Sequence, residues 1–250
     1  MSNLVRKEEY KIRLIAIIKS AELIDKKVSR FEKMLLESTN FDNDYPTSPK
    51  NISFEISSTG ETAYQRAILK SQKTFLNFKR ENGFETVEWM DGELPMIFNK
   101  NPRRPSIDLV GSLDGIPTLC ELKFANSRTS DSPVYAAIEL LTYYCFIQFN
   151  ADILDKYEVF HKNLTPFKWR VFSKNGFPRL IVCANKSYWD AWFARYDKAT
   201  LIKQVFNWGV ELDTNINLFQ SEDFDFKYQK GEGKYTPKIP SNGIWEIIKA

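Results

Sequence analysis

The dipeptide Asp114-Gly115 constrains this chain more than any other pair of residues, because it sets a pairing register that can be followed by hand. Asp-Gly supplies the two positive-φ positions of a two-residue type I′ hairpin loop. With those residues as the turn, Asp108 falls opposite Glu121, and Ser106 opposite Lys123. Directly opposed residues share one face of a sheet, with Cβ atoms roughly 4.5–5.5 Å apart. Ile107, Leu109, Gly111, Leu113, Ile116, Thr118, Cys120 and Leu122 fall on the other face and read as core. Two facing carboxylates repel, and a divalent cation between them is the simplest compensation. The alternative is a solvated hairpin face that carries Asp, Glu and Lys by chance.

The rest of the chain must supply a core around that hairpin. With 250 residues, of which 43% are hydrophobic and 14% aromatic, it has ample material for one large domain. Net charge is +3, which permits a polyanionic partner without requiring one. Cys120, Cys145 and Cys183 lie far apart in apolar runs and read as reduced core residues. His161 is the only histidine, which argues against a histidine-rich zinc site or a Ser-His-Asp triad. The N-terminus is charged from Arg6 onward, with neither a signal sequence nor a membrane span, so a cytoplasmic protein is expected.

Three segments are expected: a helical one over 1–40, a core over 53–225 and a basic tail over 226–250. In the first, Tyr10, Leu14, Ile17, Ala21, Ile24, Val28, Phe31 and Leu35 form an unbroken apolar stripe, widened by Ile12, Ile15, Ile18 and Leu23. It predicts one long helix or two stacked ones that either buttress the core or form a homodimer arm. Residues 38–52 read as a linker. A helix is predicted from Ser58 to Phe78, opened by the capping-box spacing Ser58…Glu61 and carrying Tyr64, Ala67, Ile68, Phe75 and Phe78 on one face. Two strands, Glu85–Met90 and Glu93–Phe98, are expected on either side of a turn at Asp91-Gly92. Pro133 opens a helix to Phe149. A strand over Arg179–Ala184, a helix from Ser187 to Tyr196 that extends toward Trp208, and a strand over Val210–Phe219 follow. The tail reads as irregular. This order predicts an α/β fold with a mixed central sheet flanked by helices.

Pro105-Ser-Ile-Asp108, then a hairpin, Glu121-Leu122-Lys123 and a helix, resembles the PD-(D/E)XK nuclease superfamily over roughly Ser58 to Ala184. The proline stands three positions before the aspartate instead of next to it. The resemblance implies a restriction-endonuclease-like core and hydrolysis of DNA phosphodiester bonds by a metal-activated water. Asp108 and Glu121 would bind Mg²⁺ (or Mn²⁺), and Lys123 would orient the water or stabilise the transition state. Glu61 would match the acidic residue that many members carry on the helix before the sheet, although its place in the capping box explains it equally well. Gln65 lies one turn on, and Glu55 and Glu88 are weaker candidates for the same role.

On the helix after the hairpin, Tyr135, Glu139 and Tyr143 share a face. Some members place a glutamine and a tyrosine four apart there. Glu139 stands where glutamine is expected, which favours a plain packing helix. Ser127, Arg128, Thr129 and Ser130 form a polar loop before it.

Val159 to Trp189 holds no acidic residue, while Lys162, Lys168, Arg170, Lys174, Arg179 and Lys186 interleave with Phe167, Trp169, Phe172, Phe177 and Tyr188. Such a composition suits nucleic acid. Arg103, Arg104, Lys227, Lys230, Lys234 and Lys238 add positive charge. The alternative to a nuclease is a non-catalytic nucleic-acid- or protein-binding module with the same fold.

Overall fold

The computed structural model describes residues 3–37, 52–57, 60–77, 84–95, 106–125, 131–154, 178–222, 225–229, 233–238 and 243–250. Outside the described residues lie the 38–51 linker, Ser58, Phe78, Arg103, Arg104, the 127–130 loop, His161, Lys230 and the basic-aromatic run from Lys162 to Phe177.

The N-terminal stripe forms two helices, α1 (Asn3–Glu22) and α2 (Ser29–Glu37), joined through a 3-10 turn at Lys26–Val28. Asp25 caps that turn by accepting from the Lys27 N–H at 3.0 Å. Tyr10, Leu14, Ile17, Ala21, Val28, Phe31 and Leu35 are all buried on the chain's own core, whereas Ile12 and Leu23 are exposed. The Tyr10 hydroxyl donates to the Leu212 carbonyl, and Phe31 packs on Tyr135 with ring centroids 5.0 Å apart.

Helix α3 (Glu61–Ser71) is shorter than its apolar spacing suggests. Gln72 takes the left-handed conformation with φ 58° and closes it, so Phe75 lies on a strand, β1 (Lys73–Asn77), where it is exposed. Nor is Asp91-Gly92 a turn. Strand β2 (Glu85–Pro95) runs through it, with a β-bulge between Trp89 and Asp91. Gly92 is required there for close approach: a Cβ would stand 2.5 Å from the Asp108 carbonyl oxygen and 2.7 Å from Leu69.

The hairpin β3 (Ser106–Leu113) and β4 (Ile116–Lys123) pairs as predicted from Leu113–Ile116 through Leu109–Cys120. Asp114 and Gly115 have φ of 51° and 79°, as the type I′ turn demands. Helix α4 (Pro133–Leu154), strand β5 (Arg179–Asn185), helices α5 (Lys186–Phe193) and α6 (Lys198–Glu211) and strand β6 (Asn215–Ser221) follow. Val210 belongs to α6, so the last of these strands starts later than the sequence pattern suggests.

The tail is not irregular, and that changes the fold class. It contains a separate hairpin, β7 (Asp225–Gln229) with β8 (Lys234–Lys238), and then β9 (Ile244–Ile247). Strand β9 pairs parallel with β1 at Phe75–Ile244 to Asn77–Glu246, and antiparallel with β6 at Phe219–Ile247 and Gln220–Glu246. It thereby joins the two strands that would otherwise be edges. The result is a closed barrel in the order β1-β2-β3-β4-β5-β6-β9, with helices packed on it. The expected open mixed sheet, and the restriction-endonuclease-like core with it, is overturned by this closure. Trp245 anchors it, buried beside Trp89 with centroids 5.7 Å apart.

Alternation along the strands divides the core in two. Val110, Leu119, Leu180, Val182, Ala184, Ile216 and Leu218 pack with α1, α2, α4 and α6. Leu109, Leu113, Cys120, Leu122, Ile181, Cys183 and Phe219 pack with Tyr64, Ile68 and Leu69 of α3. Ile107 departs from its predicted face: it joins the first cluster with Val110, so strict alternation fails at Asp108 and Leu109.

Candidate active site

The site forms where β3 and β4 stop being a regular ladder. Beyond the Leu109–Cys120 pair, the Asp108 carboxylate itself accepts the Leu122 N–H at 2.7 Å. The Asp108 carbonyl accepts from the Gln65 side-chain amide at 2.6 Å. Gln65, buried on α3, is therefore a brace for the Asp108 backbone.

Glu121 and Lys123, two apart on β4, are 3% and 5% exposed. Their neighbours Val110 and Leu119 are fully buried under the helical layer. The polar face of the hairpin is therefore not a solvated surface. Lys123 Nζ donates to Glu121 Oε1 at 2.6 Å and to Glu139 Oε2 at 3.4 Å, and lies 3.9 Å from Glu61 Oε1. The second Glu121 oxygen, Oε2, is buried with no hydrogen-bond partner. Tyr143 donates to Glu139 Oε1 at 2.7 Å.

Glu61 opens α3, whose N-cap is Gly60 without a side-chain cap bond. Its side chain is 37% exposed, which makes it the outermost of the three carboxylates around the ammonium.

Charge is unbalanced here. Burial first, and then the Glu61 carboxylate, push the Asp108 carboxyl up to about 8, against the opposing pull of Lys123 and the Leu122 N–H. Glu121 is pushed well above the ordinary carboxylate range by burial and then by Asp108 and Glu139. Burial also raises Glu61, with Lys123 opposing. Burial alone would lower Lys123, but Glu121, Glu139, Glu61 and Asp108 together hold it well above its usual value. One ammonium faces four carboxyl groups, so the cluster retains protons at neutral pH that isolated carboxylates would lose.

These residues test the fit of a divalent cation. Hard oxygen donors, excess negative charge and an orphaned buried Glu121 oxygen suit Mg²⁺ or Mn²⁺. Among the described residues no three acidic, histidine or cysteine side chains form a ready-made cage. The donors fit in kind, while the ammonium of Lys123 now holds one Glu121 oxygen.

Other candidates lie elsewhere. Glu88 pairs with Lys73 and Glu55 with Lys234 in exposed contacts. Tyr188 is core and donates to the Asp131 carbonyl. Of the basic run, Arg179 pairs with Glu85 and Lys186 with Asp190. Glu139 is the residue that sequence reasoning set aside and the fold brings in. Its signal was present in the shared face of Tyr135, Glu139 and Tyr143, but not the contact with Lys123. No family model, curated protein or solved structure matches the chain. No described helix is long and apolar enough to cross a membrane.

Proposed function

We propose that this protein is a metal-dependent nuclease that hydrolyses DNA phosphodiester bonds. The observation that carries the reading is the buried Asp108–Glu121–Lys123 set, with one Glu121 oxygen left unpartnered in a cluster of excess negative charge. Carboxyl groups pushed this far up around a single buried ammonium gather at functional sites, and the unpartnered Glu121 oxygen belongs to that set. The motif's resemblance to PD-(D/E)XK nucleases supports the same reading. It now rests on the site alone, since the barrel differs from the open sheet which that resemblance implied.

Asp108 and Glu121 would hold the cation, with Glu61 adding an oxygen at the exposed side. When bound, Mg²⁺ supplies positive charge against the phosphodiester oxygens and lowers the pKa of a coordinated water. Lys123 would orient the attacking water and offset charge that develops on the phosphate in the transition state. Glu139, which accepts the Tyr143 hydroxyl, also accepts from the Lys123 ammonium and would help to hold it. Gln65 holds the backbone that presents Asp108. The three free, buried cysteines suit a cytoplasmic enzyme.

Incubation of the purified protein with plasmid and linear DNA in Mg²⁺, Mn²⁺ or EDTA tests this, beside Lys123→Ala. Metal-dependent cutting that the variant loses is the expected result. Binding without cutting favours the non-catalytic module, and neither result leaves the nuclease reading standing.

A further inference from the structure

The turn between α1 and α2 carries a concentration of charge that the site does not use. The eight residues from Lys26 to Lys33 hold four cations, Lys26, Lys27, Arg30 and Lys33, and one acid, Glu32, a net +3 along the sequence, and Asp131 pairs with Lys27 from α4's side. All four cations are exposed, while Val28, Phe31, Met34 and Leu35 are buried. Arg30 and Lys33, three apart, share one face of α2, and Lys26 and Lys27 stand on the 3-10 turn that leads into it, so the four cations span about 10 Å of chain.

This group of cations is built onto the frame of the site. Lys27 Nζ bonds Asp131 Oδ1 at 2.8 Å, and the Asp131 carbonyl takes the Tyr188 hydroxyl at 2.8 Å. Ser132 donates to Asp25 and accepts the Tyr135 N–H at 3.0 Å, at the start of α4. The Arg30 guanidinium lies 5.8 Å from the centre of the Tyr135 ring, and Glu139 follows Tyr135 by four residues on the same helix. Short, directional contacts thus tie these cations to the start of α4, the helix that also carries Glu139.

We propose that Lys26, Lys27, Arg30 and Lys33 form a docking surface for the phosphate backbone of duplex DNA, which leads one strand toward the Asp108–Glu121 cluster. This rests on the nuclease reading. Cations neutralise phosphates without regard to sequence, and a length of about 10 Å spans about three base steps. The surface contributes affinity and footprint and takes no part in bond breaking.

The test measures binding apart from cleavage. Anisotropy of a short fluorescent duplex is titrated in EDTA across a salt series, with wild type and the Lys26→Gln/Lys27→Gln/Arg30→Gln triple variant. Thermal unfolding checks the fold, and the single Lys26→Glu variant, at an exposed position, serves if the triple misfolds. The triple is expected to bind at least about tenfold more weakly, with a salt slope shallower by roughly 2–3. Unchanged affinity and slope overturn the docking surface even where wild type cleaves DNA. Absence of wild-type binding to duplex also overturns it, including where only RNA binds. Salt-dependent binding that the triple weakens, without Mg²⁺-dependent cleavage, upholds the surface and rejects the nuclease reading.

Discussion

Two ion-pair sites flank β3 and differ in what they hold together. Beside β2, Arg66 makes a forked contact with Glu93, to Oε1 through Nε and to Oε2 through Nη2 at 2.6 Å, and its remaining nitrogen reaches the Ser53 carbonyl. One cation meets one anion, both carboxylate oxygens are engaged, and a planar fork matches a planar acceptor. At the Lys123 site one ammonium faces Glu121, Glu139 and Glu61, with Asp108 close by, and one buried oxygen has no partner. The first arrangement is complete within the chain. In the second, burial and mutual repulsion push the carboxyl groups toward their protonated forms, a pattern frequent at functional sites.

Lys123→Ala breaks the comparison hardest. It removes the cation from a buried acidic cluster, so cleavage should fall by a factor on the order of 10²–10³. Stability should fall by about 3–5 kcal/mol, the usual cost of breaking a buried pair. Arg66→Ala leaves a partly exposed Glu93 behind and should cost roughly 1–3 kcal/mol, with the cleavage rate of folded protein unchanged. Denaturant titration and plasmid nicking read both variants. Equal loss of cleavage in the two would erase the distinction.

Asp108→Asn sharpens it from the opposite side. The amide keeps an acceptor for the Leu122 N–H and spares the fold the proton that buried Asp108 must take up at neutral pH, so unfolding should shift upward by about 0.5–2 kcal/mol while cleavage is lost. A destabilised variant would show that the Asp108 charge is already balanced within the fold.

The pH dependence follows from the same residue. Folded Asp108 holds its proton up to about 8, while the unfolded chain releases it in the ordinary carboxylate range near 4. Its contribution to stability is greatest below that range, declines as pH rises across it, and levels off above about 8. In EDTA, wild type should lose stability over this window and Asp108→Asn should lose less. The smallest effect is expected from Tyr143→Phe, which removes one hydrogen bond to Glu139 and should cost roughly 1 kcal/mol with only a modest change in rate.

What the sequence makes legible here is local. The β3–β4 register from Leu113–Ile116 to Leu109–Cys120 follows from two residues whose backbone preference leaves little choice, but the ladder stops short of the predicted Asp108–Glu121 and Ser106–Lys123 pairs. The N-terminal stripe repeats long enough to identify its buried face. Glu139 was visible as a helical neighbour of two tyrosines, but its partner Lys123 lies on another element. The barrel was not legible, because it depends on β9, four residues that pair with β1 some 170 positions earlier in the chain. Surrounded by Gly, Pro and Lys, that strand has no periodicity of its own and is held by Trp245 against Trp89. Gln72 likewise ends α3 with a left-handed φ that an apolar spacing of Tyr64, Ile68 and Phe75 conceals.

Diffraction from crystals soaked in Mn²⁺, recorded at the manganese edge, addresses the cation directly. An anomalous peak bonded to carboxylate oxygens of Asp108 and Glu121 is expected, with Lys123 Nζ moved off Glu121 Oε1. Manganese bound only elsewhere, with the Lys123–Glu121 contact intact in a fully soaked crystal, would contradict it.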